Sequence, residues 1–189
     1  MCYHDCENYY VETTLSCDHC LDDVAIGQDF GFNHANAILL LGWKDDNIYI
    51  IDEIYLHEKD TSEIIQEAIR HAIPTKKTMW CDSAEPDRIK EWSKAGYRAK
   101  AVDKGGSKGS VKAQIDWLKG IVTKDKTIKR MIYVHPHCVN TIKELQQWKW
   151  RKDERSGEYL DEPVPIMDDA MAALRYGIEG WRKIKKWLI

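Results

Sequence analysis

No apolar run in this 189-residue chain approaches the roughly 20 residues that a bilayer-spanning helix requires. The N-terminus also lacks the basic-then-apolar order of a secretory signal. Together these absences predict a soluble intracellular protein with no membrane partner. Internal repeats and low-complexity linkers are missing too, and with 43% hydrophobic residues the length suits one substantial core. A phosphate-binding P-loop is absent: Gly105-Gly106-Ser107-Lys108-Gly109-Ser110 does not place Lys and then Ser or Thr after its final Gly.

Lysine and arginine are wholly missing from residues 1–28, which carry Asp5, Glu7, Glu12, Asp18, Asp22 and Asp23. Without that segment the net charge of -3 becomes 28 basic against 25 acidic residues, a net of +3. The excess concentrates between Arg98 and Arg130, where ten basic residues face only Asp103, Asp116 and Asp125. A phosphate backbone is drawn to such a stretch, although a solvated helix face has the same statistics.

Six cysteines raise the question of disulfides, but 31% charged residues and eight tryptophans describe an ordinary core with reduced thiols. Cys2, Cys6, Cys17 and Cys20, with His4 and His19, could ligate zinc by type. Only Cys17-x-x-Cys20 has knuckle spacing, so residues 1–22 are read as a leader or interdomain segment without zinc, and residues 23–189 as the domain.

Strands are predicted at Val24 to Gln28, Asn36 to Trp43 and Asn47 to Tyr55, with a hairpin turn at Lys44-Asp45-Asp46. A helix follows from Thr61 to Ile73, capped by Asp60 and stopped by Pro74. Next come a strand at Thr78 to Cys81, a helix from Pro86 ended by Gly96, and a strand at Arg98 to Val102. After a loop with Gly105, Gly106 and Gly109, a helix spans Val111 to Val122, a strand Met131 to Val134, and a helix Val139 to Trp148. The charged, turn-prone Arg151 to Tyr159 precedes a final helix from Asp168 through Tyr176. The fold class is therefore α/β: a mixed sheet with an antiparallel three-strand start, then parallel strands, and helices on both faces.

Two strands end in aspartate before small residues, Asp29-Phe30-Gly31 and Asp82-Ser83-Ala84, and Asp168-Asp169 opens the last helix. Acids from distant points in sequence suit Mg²⁺ or Mn²⁺, and two such ions can clamp the attacking and leaving oxygens of a phosphodiester. Each aspartate also has an ordinary alternative, as a turn residue (Asp29) or a helix cap (Asp82, Asp168, Asp169).

In order, Asp29-Phe30-Gly31, Asp82-Ser83-Ala84-Glu85-Pro86, His135-Pro136-His137-Cys138, Glu144-Leu145 with Trp148, and Asp168-Asp169-Ala170-Met171-Ala172-Ala173-Leu174-Arg175-Tyr176 resemble the C-terminal nuclease domain of phage terminase large subunits. The resemblance runs from about Asp23 to Gly180. It implies an RNase H-like fold and a metal-dependent endonuclease that cuts concatemeric double-stranded DNA with little sequence preference in the host bacterial cytoplasm. Asp29 and Asp82 then become metal ligands, Asp169 a ligand or near-metal group, and Asp168 or Asp169 completes the metal site. Lys104, Lys108 and Lys112 meet the DNA, Arg151 to Tyr159 forms a hairpin regulating access, and the His-Pro-x-Cys stretch is structural. The implied partners are the terminase ATPase domain, small subunit and portal protein, with the isolated domain a monomer.

One position departs from the pattern. The family's third principal acid falls on Ala172, one turn after Asp168 and Asp169 on the same helix face. Either a deliberate Asp-to-Ala change has silenced the nuclease, the preferred reading, or a natural variant recruits Asp168 or Asp169. The competing functions are another RNase H-like nuclease of resolvase or integrase type, and a noncatalytic DNA-binding or docking module. Leu174 and Tyr176 are expected in the core, and Arg175 is expected to pair with a site acid or with Glu179.

Overall fold

The computed structural model describes residues 21–45, 47–103, 118, 131–147, 150–152, 159–163 and 168–186. Strands β1 (Asp23–Asp29), β2 (Asn36–Lys44) and β3 (Asn47–Leu56) form an antiparallel meander. At the turn between β2 and β3, Asp45 adopts φ 49°, a left-handed conformation that aspartate tolerates better than most side chains. Three short strands extend the sheet in parallel: β4 (Thr78–Cys81) on β1, β5 (Arg98–Ala101) on β4, and β6 (Ile132–Val134) on β3. The six-stranded order is β5-β4-β1-β2-β3-β6. A separate antiparallel pair joins β7 (Trp150–Lys152) to β8 (Tyr159–Pro163) around the charged turn-prone segment.

Alternation along the strands feeds two apolar layers, because successive side chains point to opposite faces. Ile26, Ile38 and Leu40 pack with Ile64, Ile65 and Ala68 of helix α1 (Thr61–Arg70) and Trp92 of helix α2 (Pro86–Lys94). On the other face Ala25, Ala37, Leu39 and Leu41 meet Met171, Ala173, Leu174 and Ile178 of helix α4 (Asp169–Lys186), with Leu145 of helix α3 (Val139–Gln147) beside them. The central β2 is covered on both sides, and Ile38 to Leu41 are wholly buried. Cys81 and Cys138 are buried free thiols. Among the described residues no helix is long and apolar enough to cross a membrane.

Helix boundaries follow local chemistry. The start of α1 is a reciprocal capping box in which Asp60 accepts from the Glu63 N–H and Glu63 accepts from the Asp60 N–H. Its end comes three residues before the Ile73 expected from periodicity. Ala72 turns left-handed at φ 52°, and the N–H groups of Ala72 and Ile73 return to the carbonyls of Ile69 and Ala68. This reversal tucks Ile73 into the core, so the helix is already closed before Pro74 can act. Of the other expectations, the 105–109 glycine loop, Lys104, Lys108 and Lys112, the cysteines at 2, 6, 17 and 20, and the helix at 111–122 apart from Leu118 lie outside the described residues. Leu118 is helical and buried.

The closest approach in the fold is that of α4 to β1. A Cβ added at Gly27 would lie 1.9 Å from the Ala173 carbonyl oxygen, and one at Gly177 would lie 3.2 Å from the Gly27 nitrogen and 2.5 Å from Leu41 Cδ1. The Gly27 obstacle is helix backbone, which cannot step aside as a side chain can. Gly27→Ala is therefore expected to destabilise the domain by about 1–3 kcal/mol or more. Gly177→Ala, which meets mainly the movable Leu41 methyl, should cost less. Equilibrium urea unfolding reads both, and an unaltered midpoint for Gly27→Ala would contradict the close crossing.

Candidate functional site

The parallel register of β1 and β4 pairs Gln28 with Cys81, so the next residues, Asp29 and Asp82, leave the sheet side by side. The Asp82 N–H donates to the Gln28 carbonyl at 3.3 Å, which continues the ladder to this point. Beneath them runs a buried polar ladder that the sequence reading missed. Gln28 Nε2 donates to Asn36 Oδ1 at 3.3 Å, and Cys81 Sγ donates to Gln28 Oε1 at 3.7 Å. It ties together β2, β1 and β4 just below the carboxylates. The β1–β2 loop is held by Arg88, which donates to the Gly31 carbonyl at 3.2 Å and lies over the Phe30 ring at 5.7 Å.

The N-terminus of α4 brings Asp168 and Asp169 to the same end of the sheet. The Asp168 carbonyl accepts from the Ala172 N–H at 2.7 Å, and Asp169 is the first helical residue. Asp82 is not the cap of α2: the N-cap residue there is Glu85, which makes no side-chain capping bond. Asp82 instead accepts from the Ala84 N–H at 2.8 Å and from the Tyr176 hydroxyl at 3.2 Å. Tyr176 is thus a core residue, as expected, whose polar tip also reaches the site. Across the cluster, the Tyr55 hydroxyl donates to Asp169 Oδ2 at 3.2 Å.

These acids sense one another. The Asp29 carboxyl is pushed up from 3.8 to about 7, first by burial and then by the negative charges of Asp82, Asp169 and Asp168, with Arg175 opposing. Asp168 is raised chiefly by burial, again against Arg175. Burial and the neighbouring Asp29 and Asp82 charges also raise the Tyr176 hydroxyl. Two unit charges 4 Å apart repel by about 4 kcal/mol at an effective dielectric near 20, so the cluster needs protons or cations. Arg175 therefore acts on the acids, while Glu179 pairs with Arg182 and Lys183, each at 3.7 Å.

Sequence reasoning gave Glu144 no chemical role, yet it is one of the most buried charged residues, 3% exposed. Its Oε2 accepts from the Met171 N–H at 2.9 Å, at the start of α4. Burial pushes the Glu144 carboxyl up to about 7 against the opposing pull of the Met171 and Ala170 N–H groups. The available signal was periodic: Glu144 stands at inward spacing between Thr141 and Leu145 on α3. Ala172, by contrast, packs with Val102, Tyr176 and Trp80 in a small apolar cluster and brings no donor to the site.

The gathered donors are carboxylate oxygens, the type that Mg²⁺ and Mn²⁺ prefer. Among the described residues, no three His, Cys, Asp or Glu side chains are arranged to hold a metal ion as they stand. In kind the donors fit a divalent cation, and the charge crowding at Asp29 gives such an ion something to relieve; holding one requires the side chains to close further.

A family model described as the terminase RNase H-like domain matches residues 29–180. A curated relative, the PBSX phage terminase large subunit of Bacillus subtilis (strain 168), is 27% identical over 158 residues, covering 82% of this chain and 34% of that protein. The chain thus spans about a third of the length of that relative. Among solved structures, the large terminase nuclease domain of bacteriophage SPP1 with bound Mn superposes with a TM-score of 0.72 at 20% identity, covering 85% of this chain and 87% of that one. The P22 large terminase nuclease domain gives a TM-score of 0.65 at 21% identity, covering 84% and 81%.

The raised Asp29 carboxyl sets a pH dependence. Between about 3.8 and about 7 the folded chain holds a proton there that the unfolded chain has released, so this group's contribution to stability falls as pH rises through that window. Glu144 acts in the same sense from 4.5 to about 7. In metal-free buffer, Asp29→Asn should therefore gain stability relative to the parent as pH rises from 4 to 7, with the difference levelling above that. Thermal unfolding of both proteins across this range checks it, and a pH-independent difference would contradict the raised Asp29 carboxyl.

Proposed function

Because the chain belongs to the terminase family as one of its RNase H-like domains, we propose that it is a divalent-metal-dependent endonuclease domain that cuts concatemeric double-stranded DNA during viral genome packaging. The observation that carries this reading is the meeting of Asp29, Asp82, Asp168 and Asp169 at one sheet end, where burial first and the neighbouring charges second raise the Asp29 carboxyl to about 7. In this reading Asp29 and Asp82 would hold Mg²⁺ or Mn²⁺, and Asp168 or Asp169 would complete the site. When bound, such ions activate water and stabilise the leaving oxygen of a phosphodiester. Asp29, raised to about 7 in the metal-free chain, would hold such an ion in its deprotonated form. Tyr176 and Tyr55 hold one oxygen each of Asp82 and Asp169. Arg175 offsets part of the negative charge.

Lys104, Lys108 and Lys112 are proposed to contact the phosphate backbone, which carries no sequence information and so gives little sequence preference. The β7–β8 hairpin is proposed to regulate access. The remaining partners proposed are the ATPase domain, small subunit and portal protein, and the place of action the host bacterial cytoplasm. The SPP1 nuclease domain, solved with bound Mn, supports the choice of metal.

A second reading, a noncatalytic DNA-binding or docking module, is favoured by Ala172, whose methyl packs among apolar neighbours and brings no donor to the site. Supercoiled plasmid incubated with Mn²⁺, Mg²⁺ or chelator separates the two. The parent chain is expected to nick weakly or not at all, and Ala172→Asp to produce nicked and linear DNA only with metal. In the Ala172→Asp background Asp82→Asn should lower the rate at least about 100-fold, as loss of a transition-state-stabilising group does. Binding without cleavage by both the parent and Ala172→Asp would establish the noncatalytic module. Metal-dependent cutting by the parent itself would make Asp168 and Asp169 sufficient.

A further inference from the structure

Tyr55 lies on β3, two strands from Asp29, yet its hydroxyl reaches the first residue of α4, donating to Asp169 Oδ2 at 3.2 Å. A tyrosine hydroxyl has one proton, for which Glu144 and Asp169 are both acceptors, and in this geometry Asp169 Oδ2 takes it. The ring is held from behind. Glu144 interacts with the hydroxyl and also takes the Met171 N–H at 2.9 Å, one turn into the same helix. Its other oxygen, Oε1, is buried and accepts no hydrogen bond among the described residues. One buried side chain thus fixes both the helix start that carries Asp169 and the hydroxyl that orients it.

We propose that Tyr55, braced by Glu144, is a positioning residue that turns the Asp169 carboxylate so that Oδ1 is the oxygen offered to a divalent ion. This rests on the metal-site reading given above. Partners behind a ligand typically contribute 10–100-fold to metal affinity by restricting its orientation.

Titration of the intact chain with Mn²⁺, followed by isothermal calorimetry and by loss of the free-ion EPR signal, tests it without requiring cleavage. Tyr55→Phe keeps the ring and removes only the hydroxyl. It is expected to weaken Mn²⁺ binding about 10–100-fold while the urea midpoint in chelator stays close to that of the parent. Glu144→Gln keeps the length and an acceptor for the Met171 N–H, and should shift affinity in the same direction by less; it also serves if Tyr55→Phe folds poorly. Affinity unchanged in a folded Tyr55→Phe protein, or in Glu144→Gln where the first does not fold, overturns the inference alone. Affinity lost only in proportion to metal-free stability assigns Tyr55 to the scaffold and overturns it too. If the parent chain binds no Mn²⁺, the metal site fails and the inference falls with it.

Discussion

The backbone contact between β1 and α4 is the constraint on which the rest of the architecture depends. At Gly27 the strand meets the Ala173 carbonyl with no room for a Cβ, and Gly177 lets the helix lie down on it. This crossing sets how far α4 can slide. Its far end is fixed by Trp181, which stacks on Trp43 with ring centroids 4.2 Å apart and donates to Asp23 at 3.0 Å. Its near end is fixed by Glu144. With the helix held at three points, Asp168 and Asp169 have no choice but to stand over the ends of β1 and β4.

Charged side chains do much of this fixing from inside the protein. Glu53 on β3 accepts four hydrogen bonds at the start of α3, from the N–H and side-chain amide of Asn140 and from the N–H and hydroxyl of Thr141, at 2.8 to 3.0 Å. Glu144, on α3, then does the same service for α4. Each of these helices begins on a buried carboxylate from an earlier element, where unpaired N–H groups and the helix dipole favour negative charge. A structural chain of carboxylates thus leads from β3 through α3 to the cluster at Asp169. The scaffold concentrates negative charge at the place where the putting together of Asp29 and Asp82 already makes it costly.

Much of the fold was legible because its signals are local. The capping box at Asp60, the proline at the head of α2, Gly96 at its end and the alternation of β1 to β3 each declare themselves within a few residues. The end of α1 was misjudged because Ala72, not a glycine, takes the left-handed turn, and nothing in its chemistry announces that. Strand order was not legible, since the placement of β6 beside β3 depends on long-range packing. For the site, strand-end aspartates could be picked out one at a time, but their proximity could not, and neither could the Asn36–Gln28–Cys81 ladder, whose members look like unremarkable strand residues. Glu144 was hidden by its own helix: a glutamate at an inward position reads as a periodic defect until the N–H groups it serves are seen. Ala172 was noticed only against a family pattern; the structure adds that its methyl has apolar neighbours.

The position of α4 in the chain has a consequence for synthesis. Asp29 and Asp82 belong to strands made early, whereas Asp169 opens an element made after every strand of the six-stranded sheet. Domains fold as units once their sequence has emerged. Until α4 has been made, the apolar face it covers on β1 and β2 has no partner, so this domain can close only after nearly all of it has been synthesised. The four carboxylates meet only when that face is closed.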